Sequence, residues 1–358
     1  MNQTSPRFIR TVRPRVFVLG NFVQACCWRV PRLPRAGETL RATDIHVEAG
    51  GKGLNVAICL SRLGARVDTL IGCGTDAAGD ALTALLRQEG MATEHIHQFP
   101  GASGWGAGLI APDGQNAIAV YPGANLLLCA EHVSRSAQAI ANAQLVYGQF
   151  ETTMPAIAAA FRHAHALGIV TVLNPSPWQL APEAVRHSTH TVIVNEVEAA
   201  DLLRLDETSK GSAVDFAREA GAKLPPFWNE WAAAQCLIVT LGALGCLAFQ
   251  RPTTAAANPG CWHALAPPIE AVDTVGAGDA FASGYCAARL AGGDLPTALT
   301  WGNACGAHLA SHPGVLGALP DDVTLERLLN QSSSAGVTRL TDGCLHAPQT
   351  AQISSLRR

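Results

Sequence analysis

The sequence is poor in charged residues, and the charge that it has is balanced. Only 15% of its 358 residues are Asp, Glu, Lys or Arg, and 25 basic residues face 28 acidic ones, so the formal net charge is −3. Proteins that bind nucleic-acid backbones normally carry a basic excess or a basic stripe, and neither is visible here. Since 48% of the residues are hydrophobic, bulk disorder is also excluded. The length predicts about two domains or one larger α/β unit.

Long uninterrupted hydrophobic runs are also absent. The longest uncharged stretch, residues 231–250, is divided by Gly242 and Gly245 into two short apolar runs. This pattern predicts two buried strands joined by a glycine turn, since a spanning helix needs about 20 apolar residues in sequence. Four arginines near the N-terminus imitate a signal peptide, but Asn21 and Gln24 break the apolar run that follows them. We therefore expect a cytoplasmic protein without a membrane partner.

Cysteine is plentiful, yet the arrangements that hold metals are missing. The eleven cysteines are an odd number, lie mostly in apolar runs and include no CxxC pair. The twelve histidines include no HExxH motif, and no GxxxxGK[ST] phosphate loop occurs. These absences disfavour a structural zinc site and exclude a P-loop kinase. Buried thiols in a reducing compartment are the simpler interpretation of the cysteines.

From residue 16 onward, short β-branched runs alternate with longer Ala- and Leu-rich segments. The predicted strands are Val16–Leu19, Val67–Ile71, Leu145–Tyr147, Ile169–Leu173, Thr191–Val194, Leu237–Thr240 and Gly245–Phe249. The predicted helices are Gly53–Leu63, Gly79–Gln88, Met154–Ala166, Glu196–Leu203, Gly276–Ala291 and Leu295–Ser311. Continuously apolar strands separated by helices indicate an α/β fold with a doubly wound, mostly parallel sheet flanked by helices. Ligands of such sheets bind beyond the carboxyl ends of the strands.

Three segments depart from this alternation. Residues 39–48 and 105–121 are predicted to be strands without a helix between them, the second turning at Pro112–Gly114, so we expect a small β-sheet apart from the main one. Residues 331–358 are polar and aperiodic, which predicts a flexible C-terminal tail. The expected organisation is therefore one domain over residues 14–330, followed by this tail.

A glycine-rich turn opens the helix predicted at Gly276–Ala291. Its glycines let a ligand approach the backbone, and the free N–H groups at a helix start attract anions. Asp279 lies in the first turn of this helix. A carboxylate beside an anion cradle suits phosphoryl transfer to a hydroxyl group, because the carboxylate can accept the alcohol proton while the cradle stabilises the phosphoryl group. The alternative is that Asp279 merely caps the helix.

Two further clusters are compatible with ligand binding or with ordinary helix starts. Three glycines surround Lys52 and run into the helix that carries Asn55, which indicates backbone close to a ligand. Asn195 and Glu198 directly follow a predicted strand, where Asn195 would also serve as a helix cap with acidic residues in the first turn. The residues alone leave both interpretations open.

Together and in this order, the motifs resemble those of the ribokinase family, also called the phosphofructokinase-B-type carbohydrate kinases. The resemblance spans roughly residues 16–320 and rests on Gly50–Ala57, Leu63–Ala65, Gly72–Asp76, Pro122–Asn125, Asn174–Pro177, Asn195–Glu198, Thr240–Gly242 and Asp273–Phe281. It implies a ribokinase-like α/β domain with a β-sheet lid, which in this family often forms a homodimer contact. It also implies ATP- and Mg²⁺-dependent phosphorylation of a hydroxyl group of a small sugar or sugar-like substrate.

The resemblance further implies a role for each matched residue. Asp279 would be the catalytic base, and the N–H groups of the turn would form the anion hole at Gly276, Ala277 and Gly278. The substrate would lie against Gly51, Lys52, Asn55 and Glu151. The nucleotide and its Mg²⁺ would lie against Asn195, Glu198, Thr240, Gly242 and Asn303. A monovalent-cation loop, for K⁺, would use Asp273, Val275 and Gly314.

One departure from the family pattern concerns the substrate. Where ribokinases carry an Asn and an Asp that grip sugar hydroxyls, this sequence has Val23 and Ala25, which disfavours ribose as the acceptor. Asn21, Gln24 or Trp105 would then shape a different acceptor site.

Three alternatives remain at this point. The first is a nucleoside kinase of the same family. The second is a nicotinamide-dependent dehydrogenase, because Gly72–Ala77 follows a predicted strand with a GxGxxA pattern, although Asp76 would repel a pyrophosphate. The third is a non-catalytic, sugar-sensing relative, which the retained Asp279 disfavours.

Overall fold

The computed structural model describes residues 13–112, 115–205, 212–252, 260–331 and 336–340. The strands within these ranges are β1 Arg15–Leu19, β2 Val23–Arg29, β3 Asp44–Gly50, β4 Arg66–Gly74, β5 Ile96–Phe99, β6 Gly104–Ile110, β7 Asn116–Tyr121, β8 Leu145–Gln149, β9 Val170–Asn174, β10 Thr191–Asn195, β11 Cys236–Thr240, β12 Cys246–Gln250, β13 Gly260–Ala264 and β14 Val337–Leu340. The helices are α1 Lys52–Arg62, α2 Ala77–Gln88, α3 Ala130–Arg135, α4 Ala137–Ala141, α5 Met154–Ala166, α6 Glu183–Arg186, α7 Glu196–Leu203, α8 Ala213–Glu230, α9 Ala277–Leu290, α10 Leu295–Ala310 and α11 Asp322–Gln331.

Ten strands form the main sheet, in the order β14-β13-β12-β11-β10-β9-β8-β1-β4-β5. The strands from β11 to β5 run parallel, and β12, β13 and β14 extend the sheet as an antiparallel meander. The doubly wound, mostly parallel sheet is therefore confirmed. The uncharged stretch at residues 231–250 supplies β11 and β12, joined through a short 3₁₀ turn at Gly242–Leu244.

Both faces of the main sheet are buried, and β1 shows how. Val16 and Val18 point into one hydrophobic core, while the alternating Phe17 and Leu19 point into the other. Helices α1, α9 and α10 cover the first face, and α5 and α8 cover the second. A sheet that helices cover on both faces needs apolar residues on both sides of each strand, which accounts for the low proportion of charged residues in the sequence. None of the described helices is both long and apolar enough to cross a membrane.

Four strands form a second, smaller sheet, here called the lid sheet, in the order β3-β2-β6-β7. The small sheet expected from residues 39–48 and 105–121 is thus present, but its bounds differ. Residues 39–43 carry no strand, because their partner β2 ends at Arg29, which pairs with Asp44. Strand β2 itself was not predicted.

The tail predicted to be flexible contains one ordered strand. Residues 337–340 form β14, which pairs with β13 at the edge of the main sheet, so the prediction is wrong for these four residues. Val337 and Leu340 pack against the cores while Thr338 and Arg339 are exposed, a pattern too short to be recognised by periodicity. Residues 341–358, also assigned to the tail, lie outside the described residues.

Candidate active site

Several of the residues implicated by the motifs lie at the carboxyl edge of the main sheet. Asn195 ends β10, Thr240 ends β11, and these two residues are paired in register. Gln149 ends β8, two residues before Glu151. The start of α9, which carries Asp279, packs against α1, which carries Asn55. Residues that are distant in sequence therefore converge where a parallel sheet normally binds its ligands.

The glycines around Lys52 are required by close packing between α1 and the end of β1. A Cβ atom on Gly53 would lie 2.2 Å from the Cα of Gly20, and one on Gly51 would lie 2.7 Å from the carbonyl oxygen of Asn21. Gly51 also has a φ of +116°, a conformation that residues with a side chain rarely adopt. The glycines thus bring the first turn of α1, and with it Lys52, against the carboxyl end of β1.

Asn21 connects the start of α1 to the residues at and after the end of β8 through hydrogen bonds of its side-chain amide. Sequence reasoning missed this role. Its Oδ1 accepts hydrogen bonds from Gly53 N (2.9 Å) and Gln149 Nε2 (3.1 Å), and its Nδ2 donates to Glu151 Oε2 (2.7 Å). Glu151 Oε2 also accepts from Lys52 N at 3.4 Å. Asn21 is buried, so its amide holds Glu151 in place and is not free to grip an acceptor. A Gly-Asn pair that follows a buried strand was the signal in the sequence.

Asp279 is buried in the first turn of α9, with 5% of its surface exposed. Its Oδ2 accepts a hydrogen bond of 2.8 Å from Nδ2 of Asn55, which orients the carboxylate. Oδ1 of Asn55 is buried and has no hydrogen-bond partner among the described residues. Buried polar atoms are normally satisfied, so this oxygen is available to a ligand hydroxyl group or a water molecule.

Lys52 is surrounded by carboxylates, and their charges set the local pKa values. Burial raises the pKa of Asp279, Glu151 and Glu198 raise it further, and Lys52 and Asn55 act against this rise. For Lys52, burial lowers the pKa, but the carboxylates of Asp279, Glu151 and Glu198 outweigh it and the net shift is upward. Lys52 is therefore charged at neutral pH, and Asp279 holds its proton to higher pH than an ordinary Asp.

The turn before Asp279 exposes backbone N–H groups to a ligand. Gly276 adopts the left-handed conformation, with φ +78°, and precedes the first turn of α9. A Cβ atom on Gly278 would meet nothing within 4 Å, so the space beside it is open. The N–H groups of Gly276 and Gly278 have no acceptor in the described part of the chain, whereas that of Ala277 donates to Thr274 O at 3.2 Å. Two of the three implicated N–H groups are therefore available.

For Asn195 and Glu198, the sequence left open whether they cap a helix or lie at a ligand site, and the structure is compatible with both. Asn195 Oδ1 accepts from Glu198 N at 2.8 Å, and Glu198 Oε2 accepts from Asn195 N at 3.0 Å, so together they cap α7. Glu198 is also buried, at 7% exposure, and its charge reaches both Lys52 and Asp279. The cap therefore places a carboxylate at the same edge of the sheet as Asp279.

The residues implicated in nucleotide binding occupy the neighbouring part of this edge. Thr240 Oγ1 contacts Val194 O at 3.4 Å, and Gly242 starts the 3₁₀ turn with φ +56°. Asn303, on α10, is buried, and its Nδ2 donates to the carbonyl groups of Ala264 and Leu265 at 2.9 and 3.1 Å. The amide of Asn303 thus connects α10 to the end of β13. It positions the backbone at Ala264 and Leu265.

The loop implicated in cation binding lies under the lid sheet. Asp273 Oδ1 accepts from Val275 N at 3.0 Å, and Gly314 has a φ of +73°. Glu48 of β3 accepts from Val315 N at 3.5 Å, a lid contact that the sequence did not predict. No group of three or more His, Cys, Asp and Glu side chains with metal-binding geometry occurs in the described ranges. A cation at this loop would therefore depend on carbonyl oxygens together with Asp273.

The register of the lid sheet decides which of its side chains face the site. Ala25 pairs with Glu48, and Glu48 reaches the loop beside α9, so these residues and the alternating Val23 lie on the inner face. Gln24 and Trp105 are paired with each other on the outer face. Neither is therefore placed to shape an acceptor site, and the inner face above the site is apolar at Val23 and Ala25.

The GxGxxA turn has a structural explanation. Asp76 caps α2 by accepting from Gly79 N at 2.9 Å, and it also accepts from Ser103 N at 2.8 Å and Ser103 Oγ. A Cβ atom on Gly74 would lie 2.3 Å from Gly101 O. A carboxylate and packed backbone thus fill the position where a dinucleotide pyrophosphate would bind, which argues against a dehydrogenase.

The fold with its lid sheet is the ribokinase-like α/β fold. The ribokinase of Arabidopsis thaliana, solved as a complex with ribose and ATP, superposes with a TM-score of 0.78 over 89% of this chain and 99% of that one, at 22% identity. The profile of the pfkB family carbohydrate kinases matches residues 13–322, so the chain belongs to this family and is a sugar kinase. Ribokinases of Staphylococcus aureus and Haemophilus influenzae are 30% and 28% identical to it, each over 86% of this chain and 96% of the relative.

Proposed function

We propose that this sugar kinase transfers the γ-phosphoryl group of ATP to a hydroxyl group of a small sugar or sugar-like molecule, with Asp279 as the base. The observation that carries the proposal is a buried carboxylate, oriented by Asn55, at the same helix start as two unpaired N–H groups. Asp279 would accept the proton of the acceptor hydroxyl as its oxygen bonds to phosphorus, and the bond from phosphorus to the bridging oxygen of ADP would break. The N–H groups of Gly276 and Gly278 would stabilise the transferring group.

Lys52 and three carboxylates would define the acceptor and metal positions. Lys52 would face the acceptor and the transferring phosphoryl group, and Gly51 and Asn55 would lie beside them. The charge of Lys52 offsets only one of the carboxylates of Asp279, Glu151 and Glu198, and oxygen donors in this surplus suit a magnesium ion that also binds phosphates. Bound there, Mg²⁺ would neutralise charge on the phosphate groups. Residues Glu198 and Glu151 would hold it, directly or through water.

The remaining assignments rest on position. Asn195, Thr240 and Gly242 line the edge beyond β10 and β11 where the nucleotide would extend, and Asn303 supports the adenine wall through Ala264 and Leu265. A K⁺ ion would bind at the loop formed by Asp273, the carbonyl group of Val275 and Gly314, whose backbone turns support such a site. The use of ATP supports a cytoplasmic location.

The acceptor would present a surface with few hydroxyl groups to the lid. Val23 and Ala25 offer no hydrogen bond on the inner face, so a hydroxyl group buried against them would lose its partners in water, which costs about 1–3 kcal/mol for each unsatisfied group. A deoxygenated sugar or the base of a nucleoside would meet this face without that cost. We therefore expect ribose to be a weak acceptor.

A coupled assay of ADP release tests the proposed reaction. Pentoses, deoxypentoses, hexoses, sugar phosphates and nucleosides are offered with MgATP, with and without K⁺, and the phosphorylated product is identified by mass spectrometry. We expect ADP and phosphorylated acceptor in equal amounts for at least one acceptor, with a higher kcat/KM than ribose gives. ADP release that does not depend on an acceptor, or ribose as the best substrate, would contradict the proposed chemistry or the proposed acceptor, respectively.

We also propose that the lid sheet forms a homodimer contact. Its outer face carries Ile45, Val47, Trp105 and Tyr121, each with 43–59% of its surface exposed. Ile118 and Val120 are similarly exposed on the inner face, at 60% and 58%, so exposure alone does not distinguish the two faces. Exposed apolar patches are typical of a protein interface, and we assign the contact to the outer face because it is directed away from the site. The inner face remains free to cover the site.

If the outer face forms the dimer contact, a charged residue in place of Val47 should lower the molecular mass of the protein in solution from that of a dimer to that of a monomer. The Val47→Glu variant places a charge in the middle of the apolar outer face, and we expect it to be monomeric in analytical ultracentrifugation when the wild type is a dimer. Val323→Glu is the matched control, because Val323 is 70% exposed on α11, away from the lid sheet. A monomeric wild type, or a dimer that Val47→Glu leaves intact, would refute the contact.

A further inference from the structure

A second cavity lies at the opposite end of the main sheet from Asp279. It has a volume of about 350 Å³, within the range of small-molecule sites. The first residues of four adjacent parallel strands line it, namely Leu145, Val170, Thr191 and Cys236. The last turn of α9, with Arg289, closes one side. None of the residues assigned to the active site lines this cavity.

Three polar side chains of the cavity have an acceptor atom already engaged, whereas a fourth, Gln235, instead donates from its Nε2 to Ala233 O at 3.3 Å. Gln144 Oε1 accepts from Arg15 N at 3.3 Å, and Gln250 Oε1 accepts from Trp262 Nε1 at 3.0 Å. Nδ1 of His190 accepts from Thr171 N at 3.1 Å, so in the neutral ring the proton is on Nε2. Burial and the neighbouring His165 lower the pKa of His190, which keeps the ring neutral. What these three side chains have left to offer a ligand is therefore N–H donors.

The charge of the cavity is positive. Arg289 is its one formally charged lining residue, and no Asp or Glu lines it. Arg289 donates to Gly293 O at 2.9 Å and forms no ion pair within 4 Å in the described part of the chain. The charge of Arg289 reaches Asp294, whose carboxylate accepts a hydrogen bond from Thr297 N. The carbonyl end of α9 carries about half a negative charge, which the full charge of Arg289 exceeds.

From this combination of donors and charge we propose that the cavity is a second ligand site, which binds a small organic anion such as a phosphorylated or carboxylated metabolite. The guanidinium group of Arg289 pairs with the anionic group, since charge-assisted hydrogen bonds to a planar fork favour phosphate and carboxylate. The amide groups of Gln144 and Gln250 and Nε2 of His190 donate to its remaining oxygens. Leu145, Val170 and Val172 contact the carbon skeleton. The site is independent of the proposed catalytic assignment.

Calorimetric titration of the full-length protein with 3-phosphoglycerate, and with glycerol as the uncharged comparison, tests the site. We expect saturable binding of 3-phosphoglycerate only. Arg289→Gln removes the charge, and Val170→Trp fills the mouth of the cavity at a residue that is 44% exposed. Each is expected to weaken binding at least about tenfold, the size of one charge-assisted hydrogen bond. Arg162→Gln, at an exposed arginine of α5, and Lys52→Met, which removes the cation of the active site, should bind as the wild type does.

Several results would overturn the proposal. These are the absence of saturable binding, equal affinity for glycerol, and unchanged affinity in folded Arg289→Gln or Val170→Trp protein. Binding lost in Lys52→Met but kept in Arg289→Gln would place the anion at the active site and would equally refute the second site. Thermal melting of each variant verifies that it is folded, and two variants with different physical effects keep the test decisive if one of them is unstable.

Discussion

Replacing Asp279 with Asn is expected to lower kcat about 10²–10⁴-fold, the contribution of a positioned general base, while the affinity for ATP changes little. The amide of Asn cannot accept a proton from the acceptor hydroxyl, but it fits the space of the carboxylate and can still bond to Asn55. The measurement is acceptor-dependent ADP release, together with nucleotide titration. Asp201→Asn, at an exposed position on α7, is the matched control and should keep full activity.

The same substitution separates a catalytic from a structural role of Asp279 through its effect on stability. The folded-state pKa of Asp279 is raised, so the folded protein binds its proton more tightly than the unfolded chain does. Wild-type stability therefore falls as pH rises from the ordinary Asp range near 3.9 through this raised pKa, and Asp279→Asn escapes that loss. At neutral pH we expect Asp279→Asn to melt at the same temperature or higher. Retained turnover, or a large loss of melting temperature, would contradict Asp279 as the base.

Replacing Lys52 with Met is expected to lower kcat/KM about 10²–10³-fold and to move the acidic limb of the pH-rate profile to higher pH. The first effect follows from the loss of a cation beside the transferring phosphoryl group, which is comparable to removing one donor from an oxyanion hole. The second follows because Lys52 holds down the pKa of Asp279, and without it Glu151 and Glu198 raise that pKa further. Since the base must be deprotonated, activity then requires a higher pH.

A matched lysine makes this result interpretable. Lys223→Met changes the same residue type on α8, which covers the opposite face of the main sheet, and it should leave the profile unchanged. The pH dependence of kcat, measured from pH 5 to 9 for both variants, decides the point. An acidic limb at the wild-type position in Lys52→Met would show that Lys52 does not tune Asp279.

Local sequence patterns predicted strands and helices correctly where a single feature, either a continuous apolar run or the helical period, marked the element. The seven predicted strands and six predicted helices of the main domain are present, because their runs are buried on both faces or follow the helical period. Helix α8 escaped prediction because Pro225 and Pro226 lie inside it, and proline normally ends a helix. Strand β2 escaped because the half-buried Gln24 and the exposed Arg29 leave it without a continuous apolar run. Strand β14 is simply too short.

The candidate site was anticipated as a set of motifs, but not as a set of contacts. The motifs pointed to Asp279, Lys52 and Asn55, and the structure brings these residues together. No local pattern showed that Asn21 supports Glu151, since Glu151 and Gln149 are more than 100 residues away from Asn21 in sequence. Likewise, the outward orientation of Trp105 depends on strand register, which shifts every side chain to the other face when it moves by one residue.

The sequence by itself determined the architecture, the family and the candidate site residues, because apolar periodicity and glycine-rich helix starts are local properties that a chain displays in order. Only the tertiary structure decided the environment of those candidate residues. Burial and neighbouring charges are properties of the folded environment, and they raise the pKa of Asp279 and keep Lys52 charged. The packing of strand ends against α9 likewise created a cationic cavity that no motif marks, because its lining comes from the starts of four separate strands.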